Sequence, residues 1–299
     1  MKIRRFLTSG AGVGALIAAA AIPLYSADND KTDTKINDRS LGPIERADKV
    51  IGKSVYTSDN QKVGKIENLI VDLESGRVLY AVVGTGILGV GGHDYAIAPS
   101  AFSDVSGEHA RVNIDKAKLT GAPQFSSNVD KPEELGRTAF ITQVYQYAGQ
   151  PMWWQGATSS DSGTFRNVHK AKDIIGMKVK NVGNEDIGKV ENLMVNLPAG
   201  RAPFVILDPA SNLNLGNDMY AFPPDAFTWN AEQKSLVSDV TRDKLAAAPH
   251  MEKDQLQRLS DQAYASKVYQ YYGKQAYFEG GRPLQPTGKE TGKDQDQNK

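Results

Sequence analysis

The stretch Gly64-Lys65-Ile66-Glu67-Asn68-Leu69 returns 124 residues later as Gly188-Lys189-Val190-Glu191-Asn192-Leu193. Gly76-Arg77 returns at the same offset as Gly200-Arg201. A solenoid repeat has a period of about 20–50 residues, so the period here is too long for one. It fits two complete domains, each able to bury its own core. The 299-residue chain is therefore expected to contain two copies of one fold.

Hydrophobic periodicity in the repeated stretch predicts a sharply bent strand. Leu69, Val71 and Leu73 alternate as on one face of a strand, whereas Ile66 is out of phase with them. A phase slip of one residue indicates a bulge at Glu67-Asn68, and the second copy slips at the same place. Short, sharply bent strands are typical of a small closed barrel.

The second part of each copy is predicted to be helical, because apolar residues recur there at helical spacing and a glycine follows. The expected fold is therefore mainly β, with two small β-barrels, each followed by a short helical extension. The predicted apolar stripes are Leu135, Ala139, Val144 and Tyr147, ending at Gly149, and Leu256, Leu259, Ala263, Val268 and Tyr271, ending at Gly273.

Composition sets the expected boundaries. Three basic residues precede an apolar run over 6–24, and the small residues Ser26 and Ala27 follow, which is the pattern of a cleaved signal peptide. The alternative is an uncleaved N-terminal membrane anchor, and both place the body of the protein outside the cytoplasm. The predicted organisation is a signal peptide over 1–27, a disordered spacer over 28–46, unit 1 over 47–154, a linker over 155–167, unit 2 over 168–280 and a disordered tail over 281–299.

Charge and cysteine content exclude several functions. Signal cleavage leaves 32 basic and 35 acidic residues, so the mature chain has no basic footprint for nucleic acid. The absence of cysteine excludes disulfides, thiolate catalysis and cysteine-based metal sites. We expect a periplasmic or secreted protein without a transmembrane span in its mature chain.

A family resemblance is carried in the first copy by Ile51-Gly52, Gly64 to Asp72, Gly76-Arg77-Val78, Tyr95 to Pro99, Ala122 to Phe125 and Val144 to Gly149. These stretches resemble the PRC-barrel domain, which is named after the H subunit of the photosynthetic reaction centre. The resemblance covers both copies, and the helical extensions are similar to those of exported bacterial members. It implies a small β-barrel that docks on other molecules, and it does not imply catalysis.

One motif suggests a nucleotide site. Gly84-Thr85-Gly86-Ile87-Leu88-Gly89 satisfies G-x-G-x-x-G and follows a predicted strand. A dinucleotide site needs a helix after this turn, whereas residues 90–97 read as a loop and then a strand. The second copy also lacks the glycines. We therefore interpret Gly84 to Gly92 as a hairpin loop and expect no cofactor.

No catalytic or metal-binding residues are predicted. The histidines lack metal-ligand spacing and do not recur between the copies, so they are expected on the surface or in loops. Within the repeated stretch, the lysine and glutamate are expected to form an outward ion pair, and the asparagine to bond the backbone at the bulge. The residues in question are His93, His109, His169 and His250, together with Lys65, Glu67, Asn68, Lys189, Glu191 and Asn192.

Aromatic residues gather at the end of each copy. They could pack the extension onto the barrel or form a surface for a partner. Tyr269 and Tyr271 lie about 200° apart on a helix, so we expect Tyr271 to face the core and Tyr269 to face outward. The possible interaction surface consists of Tyr145, Trp153, Trp154, Tyr269, Tyr277 and Phe278.

The sequence thus predicts a non-enzymatic periplasmic interaction or scaffold protein, whose partner is an unknown protein or envelope component. The first alternative is a small-ligand-binding protein with a cleft between the two units, and the second is an envelope hydrolase. An interaction module should use matching surfaces in both copies. A ligand site or active site should contain polar residues that are unique to one copy.

Overall fold

The structure, a computed structural model, describes residues 41–86, 92–154 and 165–279. The predicted signal peptide and tail, with most of the spacer and linker, lie outside these residues. The first copy contains β1 (Glu45–Arg46), α1 (Ala47–Val50), β2 (Ser54–Tyr56), β3 (Lys62–Asp72), β4 (Arg77–Gly84), β5 (Asp94–Ile97), β6 (Phe102–Ser106), β7 (His109–Val112), α2 (Lys116–Leu119), β8 (Gln124–Phe125), α3 (Pro132–Leu135) and α4 (Thr138–Tyr147). The second contains β9 (Val168–Lys170), α5 (Ala171–Ile174), β10 (Lys178–Asn181), β11 (Asp186–Asn196), β12 (Arg201–Pro209), β13 (Met219–Phe222), β14 (Thr228–Asn230), β15 (Ser235–Ser238), α6 (Arg242–Ala246), β16 (His250–Met251) and α7 (Gln262–Tyr271).

The two copies have the same strand order. It is β6-β7-β2-β3-β4-β5-β8 in the first and β14-β15-β10-β11-β12-β13-β16 in the second. All of these pairs are antiparallel except β2 with β7 and β10 with β15. The predicted mainly β fold with helical extensions is confirmed.

The strand pairing corrects the prediction of two separately closed barrels. β4 meets β12 through an antiparallel contact between Arg77 and Arg201, which joins the two copies into one 16-stranded sheet. Within the described residues this sheet is not closed. β3 and β11 are also long, with 11 residues each, because they continue past the bend instead of ending there.

The predicted bulge is confirmed. The register of β3 on β4 shifts between Ile66 and Asn68, which leaves Glu67 as the extra residue, and β11 shifts at the equivalent point. Gly64 lies just before the bulge with a φ of +159°, and an added Cβ would overlap the carbonyl oxygen of Gly84. Glycine is needed there because the two strand backbones approach too closely for a side chain.

The two copies exchange their leading segments. β1, the first strand of the first copy, pairs with β11 of the second, and β9, the first strand of the second copy, pairs with β3 of the first. The registers are equivalent, with Arg46 opposite Met194 and Lys170 opposite Ile70. Residues 41–46, which the sequence assigned to a disordered spacer, are therefore part of the fold.

Asparagines of the repeated stretch hold the helices that follow these exchanged strands. Asn192 Oδ1 accepts from the backbone N–H of Asp48 in α1 at 3.4 Å, and Asn68 Oδ1 accepts from that of Lys172 in α5 at 3.3 Å. Neither helix has a capping side chain at its own N-cap position. The expected backbone-bonding role of Asn68 and Asn192 is confirmed. Each asparagine in addition accepts a hydrogen bond from the other copy, from a backbone N–H in the first turn of a helix.

The glutamates of the repeated stretch face the same exchanged segments. Glu67 Oε2 lies 3.9 Å from Lys172 Nζ, and Glu191 Oε1 lies 3.7 Å from Arg46 Nη2. Glu191 Oε1 is closer still to Lys253 Nζ of its own copy, at 2.8 Å, and Lys189 pairs with Asp208 at 3.2 Å. The expected ion pair with the lysine two residues earlier is therefore wrong, because other partners lie nearer.

One large core serves both copies, so the expectation of two separate cores is wrong. The larger buried cluster contains residues from β2 to β7, from β10 to β13, and from β15 and β16. Leu41 and Ile44 of the leading segment belong to it and are 3% and 5% exposed. Burying a side chain of this kind is worth about 1.5–3 kcal/mol. The leading segment therefore contributes apolar burial as well as strand hydrogen bonds.

The predicted helical stripes are correct in part. Five of their residues are buried, namely Leu135, Val144, Leu256, Leu259 and Val268, whereas Ala139, Tyr147, Ala263 and Tyr271 are not. In the second copy, Leu256 and Leu259 lie in a 3-10 helix that ends at Ser260, and α7 starts afresh with Asp261 as its N-cap. Helical spacing cannot be counted across such a break. Both α4 and α7 are followed by a left-handed glycine, as expected. The buried residues are Ile141, Val144 and Tyr145 in α4 and Ala265, Val268 and Tyr269 in α7.

We predict that Asn192→Ala lowers the free energy of unfolding by about 1–3 kcal/mol, because it leaves buried backbone N–H groups without an acceptor. Asn192 is fully buried, whereas Asn68 is partly exposed. Asn68→Ala should therefore cost less, since water can replace its oxygen. Urea denaturation of both variants measures the difference, and a larger loss for Asn68→Ala would contradict the cross-copy capping role.

Candidate functional site: paired arginines at the junction of the two copies

The repeated Gly-Arg pair forms the junction between the copies. The N–H of Val78 donates to the Gly200 carbonyl at 3.1 Å, and the N–H of Ala202 donates to the Gly76 carbonyl at 2.9 Å. These reciprocal bonds relate the copies by an approximate two-fold axis. The sequence showed the repeated pair but not its position, because nothing in one copy indicates contact with the other.

Each arginine at this junction is stacked on an aromatic ring. The guanidinium carbon of Arg77 lies 4.2 Å from the centroid of the Trp153 ring, and that of Arg201 lies 4.2 Å from the Tyr277 ring. Such contacts are worth about 0.5–2 kcal/mol and hold the cation in place. Side chains of directly opposed residues in an antiparallel pair lie on the same face. The two arginine–aromatic pairs are therefore neighbours.

Further rings support these two pairs from behind through edge-to-face contacts, a favourable geometry for aromatic side chains. The centroid distances are 5.4 Å for Trp153–Trp154 and 4.8 Å for Tyr145–Trp154 in the first copy, and 5.1 Å for Tyr277–Phe278 and 5.4 Å for Tyr269–Phe278 in the second.

The structure divides the predicted interaction surface into buried and accessible rings. Tyr145, Tyr269 and Phe278 are 6%, 5% and 3% exposed, so they support the site but cannot contact a partner. Trp153, Trp154 and Tyr277 are partly exposed. Their use as an interaction surface stays a prediction.

The expected orientation of the two tyrosines on α7 is wrong. Tyr269 faces inward, where its hydroxyl donates to the Pro203 carbonyl at 2.7 Å. Burial raises the pKa of this hydroxyl well above its ordinary value. Tyr271 is only partly buried, and its hydroxyl donates to the Lys244 carbonyl. The error follows from the stripe that was counted across the break before α7.

A groove of about 230 Å³ lies at the junction beside Arg77. One side comes from the first copy and the other from the turn between β11 and β12 of the second. Its described lining residues include one charged side chain, that of Arg77. The lining consists of Arg77, Pro99, Ser100, Tyr145, Gln150, Pro151, Trp153, Pro198, Ala199 and Gly200.

The histidines do not come together. His93, His109 and His250 are exposed, as expected, but His169 is 5% exposed, which corrects its assignment to the surface. Its Nε2 lies 3.1 Å from Asn167 Oδ1, and its ring packs edge-on against Trp229. Burial lowers the pKa of His169 to about 4. No group of three or more potential metal ligands occurs in the part of the chain that the structure describes.

The glycine-rich segment connects two antiparallel strands. β4 pairs with β5 up to Gly84 and Asp94, and the N–H of Thr85 donates to the His93 carbonyl at 3.1 Å. The flanks therefore have the geometry of a hairpin. Residues 87–91, which include the second half of the motif, lie outside the described residues.

The fold and the repeated junction define a tandem protein whose two copies share one 16-stranded β-sheet, with a bulge in the long strand of each copy. A family model, the PRC-barrel domain, matches residues 43–119 and 166–240, together just over half of the chain. The chain belongs to the PRC-barrel family. A search of curated proteins found no match. Over the described residues, no helix is long and apolar enough to span a membrane.

We expect Tyr269→Ala to lower the free energy of unfolding by about 3–5 kcal/mol, as truncation of a buried aromatic side chain does. Tyr271→Ala removes a partly exposed ring and should cost about 1–2 kcal/mol. Denaturant titration of the two variants gives the order directly. An equal loss of unfolding free energy in both variants would contradict the structure, in which one face of α7 is buried and the other is partly exposed.

His169 should make stability depend on pH. Burial gives His169 a pKa of about 4 in the folded protein, below the usual 6.5. Between pH 6.5 and pH 4, the imidazole is therefore protonated in the unfolded chain but stays neutral in the folded protein. This contribution to stability is present above pH 6.5 and is lost as the pH falls towards 4, by about 2–3 kcal/mol. His169→Gln should remove that part of the decline in urea midpoints between pH 7 and pH 4.5. The exposed His109→Gln is the control, and an unchanged profile for His169→Gln would contradict the assignment.

Proposed function

We propose that this chain is a non-enzymatic periplasmic protein that acts as an interaction or scaffold module through its two PRC-barrel copies. The proposed partner is a protein or another component of the cell envelope. The proposal rests on one observation: both copies contain an arginine–aromatic pair at the same place, and the two pairs meet at the junction. Arg201 itself is buried, so the second copy exposes the ring of its pair and not the guanidinium.

Several features of this surface suit binding to a partner. Trp, Tyr and Arg are the side chains enriched at binding hot spots. Trp153 and Tyr277 are partly exposed, and each is already held against an arginine. A surface that is ordered in advance loses little side-chain entropy on binding. A rigid arrangement of the copies, which the exchanged strands and the shared core favour, would keep the two pairs at a fixed spacing.

The test is capture of partners by the mature protein from envelope extract, with quantitative mass spectrometry. We expect the double variant Trp153→Leu with Tyr277→Leu to capture at least about tenfold less of a specific partner than the unmodified protein. A tenfold loss of affinity corresponds to about 1.4 kcal/mol of binding free energy. Val182→Ala is the matched control, because Val182 is 76% exposed and is not part of the junction. Each variant is first checked for an unchanged melting transition. Equal capture by all folded forms would contradict the proposal.

The same preparation tests the proposed location. Export with cleavage near Ser26 or Ala27 predicts a shortened chain in the periplasmic fraction, which intact-mass measurement detects. A full-length chain in the membrane pellet would favour the N-terminal anchor instead.

A second function, binding of a small ligand, is favoured by the groove beside Arg77. Pockets for small ligands occur preferentially at domain interfaces, and this groove is bounded by residues of both copies. Ligand binding does not require the arginine–aromatic surface to contact a macromolecule, so the two proposals can fail separately.

A further inference from the structure

We propose that a second groove, on the outer face of β2, β6 and β7 in the first copy, binds a free α-amino acid with an aromatic side chain. The inference is independent of both proposed functions, because this groove lies at the edge of the sheet and shares no described lining residue with the groove at the junction. The polar side chains that line this outer groove are Tyr56, Asn60, Asp104, Ser106, His109 and Arg111.

The outer groove is small and carries both signs of charge. Its volume is about 280 Å³. Sites for small molecules begin at about 300 Å³, so the outer groove suits a ligand from the small end of that range. Arg111 and Asp104 supply the cation and the carboxylate.

Strand pairing brings these side chains to one face of the sheet. In the pairing of β6 with β7, Asp104 lies opposite Arg111 and Ser106 lies opposite His109. In the parallel pairing of β2 with β7, Tyr56 lies beside Arg111. Side chains of directly opposed residues project from the same face. The residues that alternate with them in β7 are buried, so the charged and aromatic groups share the solvent side.

The two charges of the outer groove do not neutralise each other. Nη1 and Nη2 of Arg111 donate to Asn60 Oδ1 at 3.2 and 3.3 Å, and Asp104 Oδ2 accepts from Ser106 Oγ at 2.8 Å. Among the described residues, Arg111 forms no ion pair with an acidic side chain. Opposite charges that face each other across two strands usually attract and stabilise the sheet. Here each charge is held by a neutral neighbour instead, and both line the groove.

This arrangement matches a ligand that carries both charges close together. A guanidinium has five N–H groups, and Asn60 engages two of those on Arg111, so the others can donate to a ligand carboxylate. Asp104 Oδ1 receives no hydrogen bond from the described residues, so it can accept from an ammonium group. The Cα atoms of opposed residues are about 4.5–5.5 Å apart. The two charges of the ligand must therefore also be close, as they are on the single carbon of an α-amino acid.

The rings of the outer groove select the side chain of that amino acid. Tyr56 and His109 meet edge to face, with their ring centroids 5.2 Å apart. Tyr56 is partly exposed and His109 is exposed, so both can contact a ligand. Aromatic rings attract one another in edge-to-face and offset arrangements. An aromatic side chain therefore gains a contact here that an aliphatic side chain lacks.

The second copy indicates that the fold does not require these charges. Strand pairing there places Thr228 at the position of Asp104 and Val237 at the position of Arg111. The same two strands pair in both copies, although only the first copy has the cation and the carboxylate. Polar residues that are unique to one copy are what a ligand site is expected to contain.

The probe for this site is L-phenylalanine. The controls are hydrocinnamate, which lacks the ammonium group, phenethylamine, which lacks the carboxylate, and L-alanine, which lacks the ring. Binding is followed at constant pH by NMR on the mature protein labelled with ¹³C-histidine. The readout is the ring signal of His109, one of 4 histidines in the chain, assigned through His109→Gln. We expect L-phenylalanine to shift this signal with a dissociation constant on the order of 1 mM, as its size allows, and each control to bind at least about tenfold more weakly.

Two variants place the uncharged residues of the second copy in the outer groove. Arg111→Val should remove the advantage of the carboxylate, so that L-phenylalanine and phenethylamine then bind equally. Asp104→Thr should remove the advantage of the ammonium group, so that L-phenylalanine and hydrocinnamate then bind equally. A general loss of structure would not produce this crossed pattern, and each variant is informative alone if the other does not fold.

The matched control variant is Lys178→Val. It removes an exposed cation from β10, the strand of the second copy that corresponds to β2. All four affinities should stay unchanged in this variant, because Lys178 does not line the outer groove.

Each outcome decides a separate point. If none of the four compounds moves the His109 signal, the inference fails, while both functions proposed for the junction stand or fall on their own tests. If hydrocinnamate or phenethylamine binds to the unmodified protein as tightly as L-phenylalanine does, recognition of both charges is wrong. If L-alanine binds as tightly, the aromatic side chain is wrong and the amino acid class stands. If folded Arg111→Val and Asp104→Thr both keep the full preference for L-phenylalanine, the outer groove is not the site.

Discussion

The structure depends on the strand hydrogen bonds through which each copy holds the leading segment of the other. β3 is paired along one edge by its own β2 before the bulge and by β9 of the second copy after it. β11 is paired along one edge in the same way, by its own β10 before the bulge and by β1 of the first copy after it. An unpaired strand edge is a site for aggregation or swapping. The bulge at Glu67 therefore marks the point where a strand changes partner from its own copy to the other.

This arrangement explains which parts of the fold the sequence could predict. The bulge, the strands and the glycine ends of the helices were visible because they follow from local periodicity and turn chemistry. The shared core, the exchanged segments and the capping of α1 by Asn192 were not, because they join residues more than one hundred positions apart. The repeat even favoured the wrong interpretation: two similar halves suggest independence, whereas here similarity permits reciprocal exchange.

The aromatic residues show that helical spacing predicts relative directions along one helix but not which direction faces the core. Tyr269 and Tyr271 do point in opposite directions. The sequence indicates Tyr271 as the inward ring, whereas the structure has Tyr269 inward, because Asp261 starts a new helix. The candidate site was visible only in part. The sequence identified the rings, but their partners Arg77 and Arg201 became part of the site only once the pairing of β4 with β12 was known.

The internal repeat separates what the fold requires from what one copy has acquired. Features present in both copies, such as the capping asparagines and the arginine–aromatic pairs, are explained by the junction itself. The outer groove is different, because the same strands pair in the second copy with Val237 and Thr228 in place of Arg111 and Asp104. Folding therefore does not require these two charges. A difference between the copies that the shared junction does not explain is the physical reason to look for a ligand there rather than at the symmetric parts of the molecule.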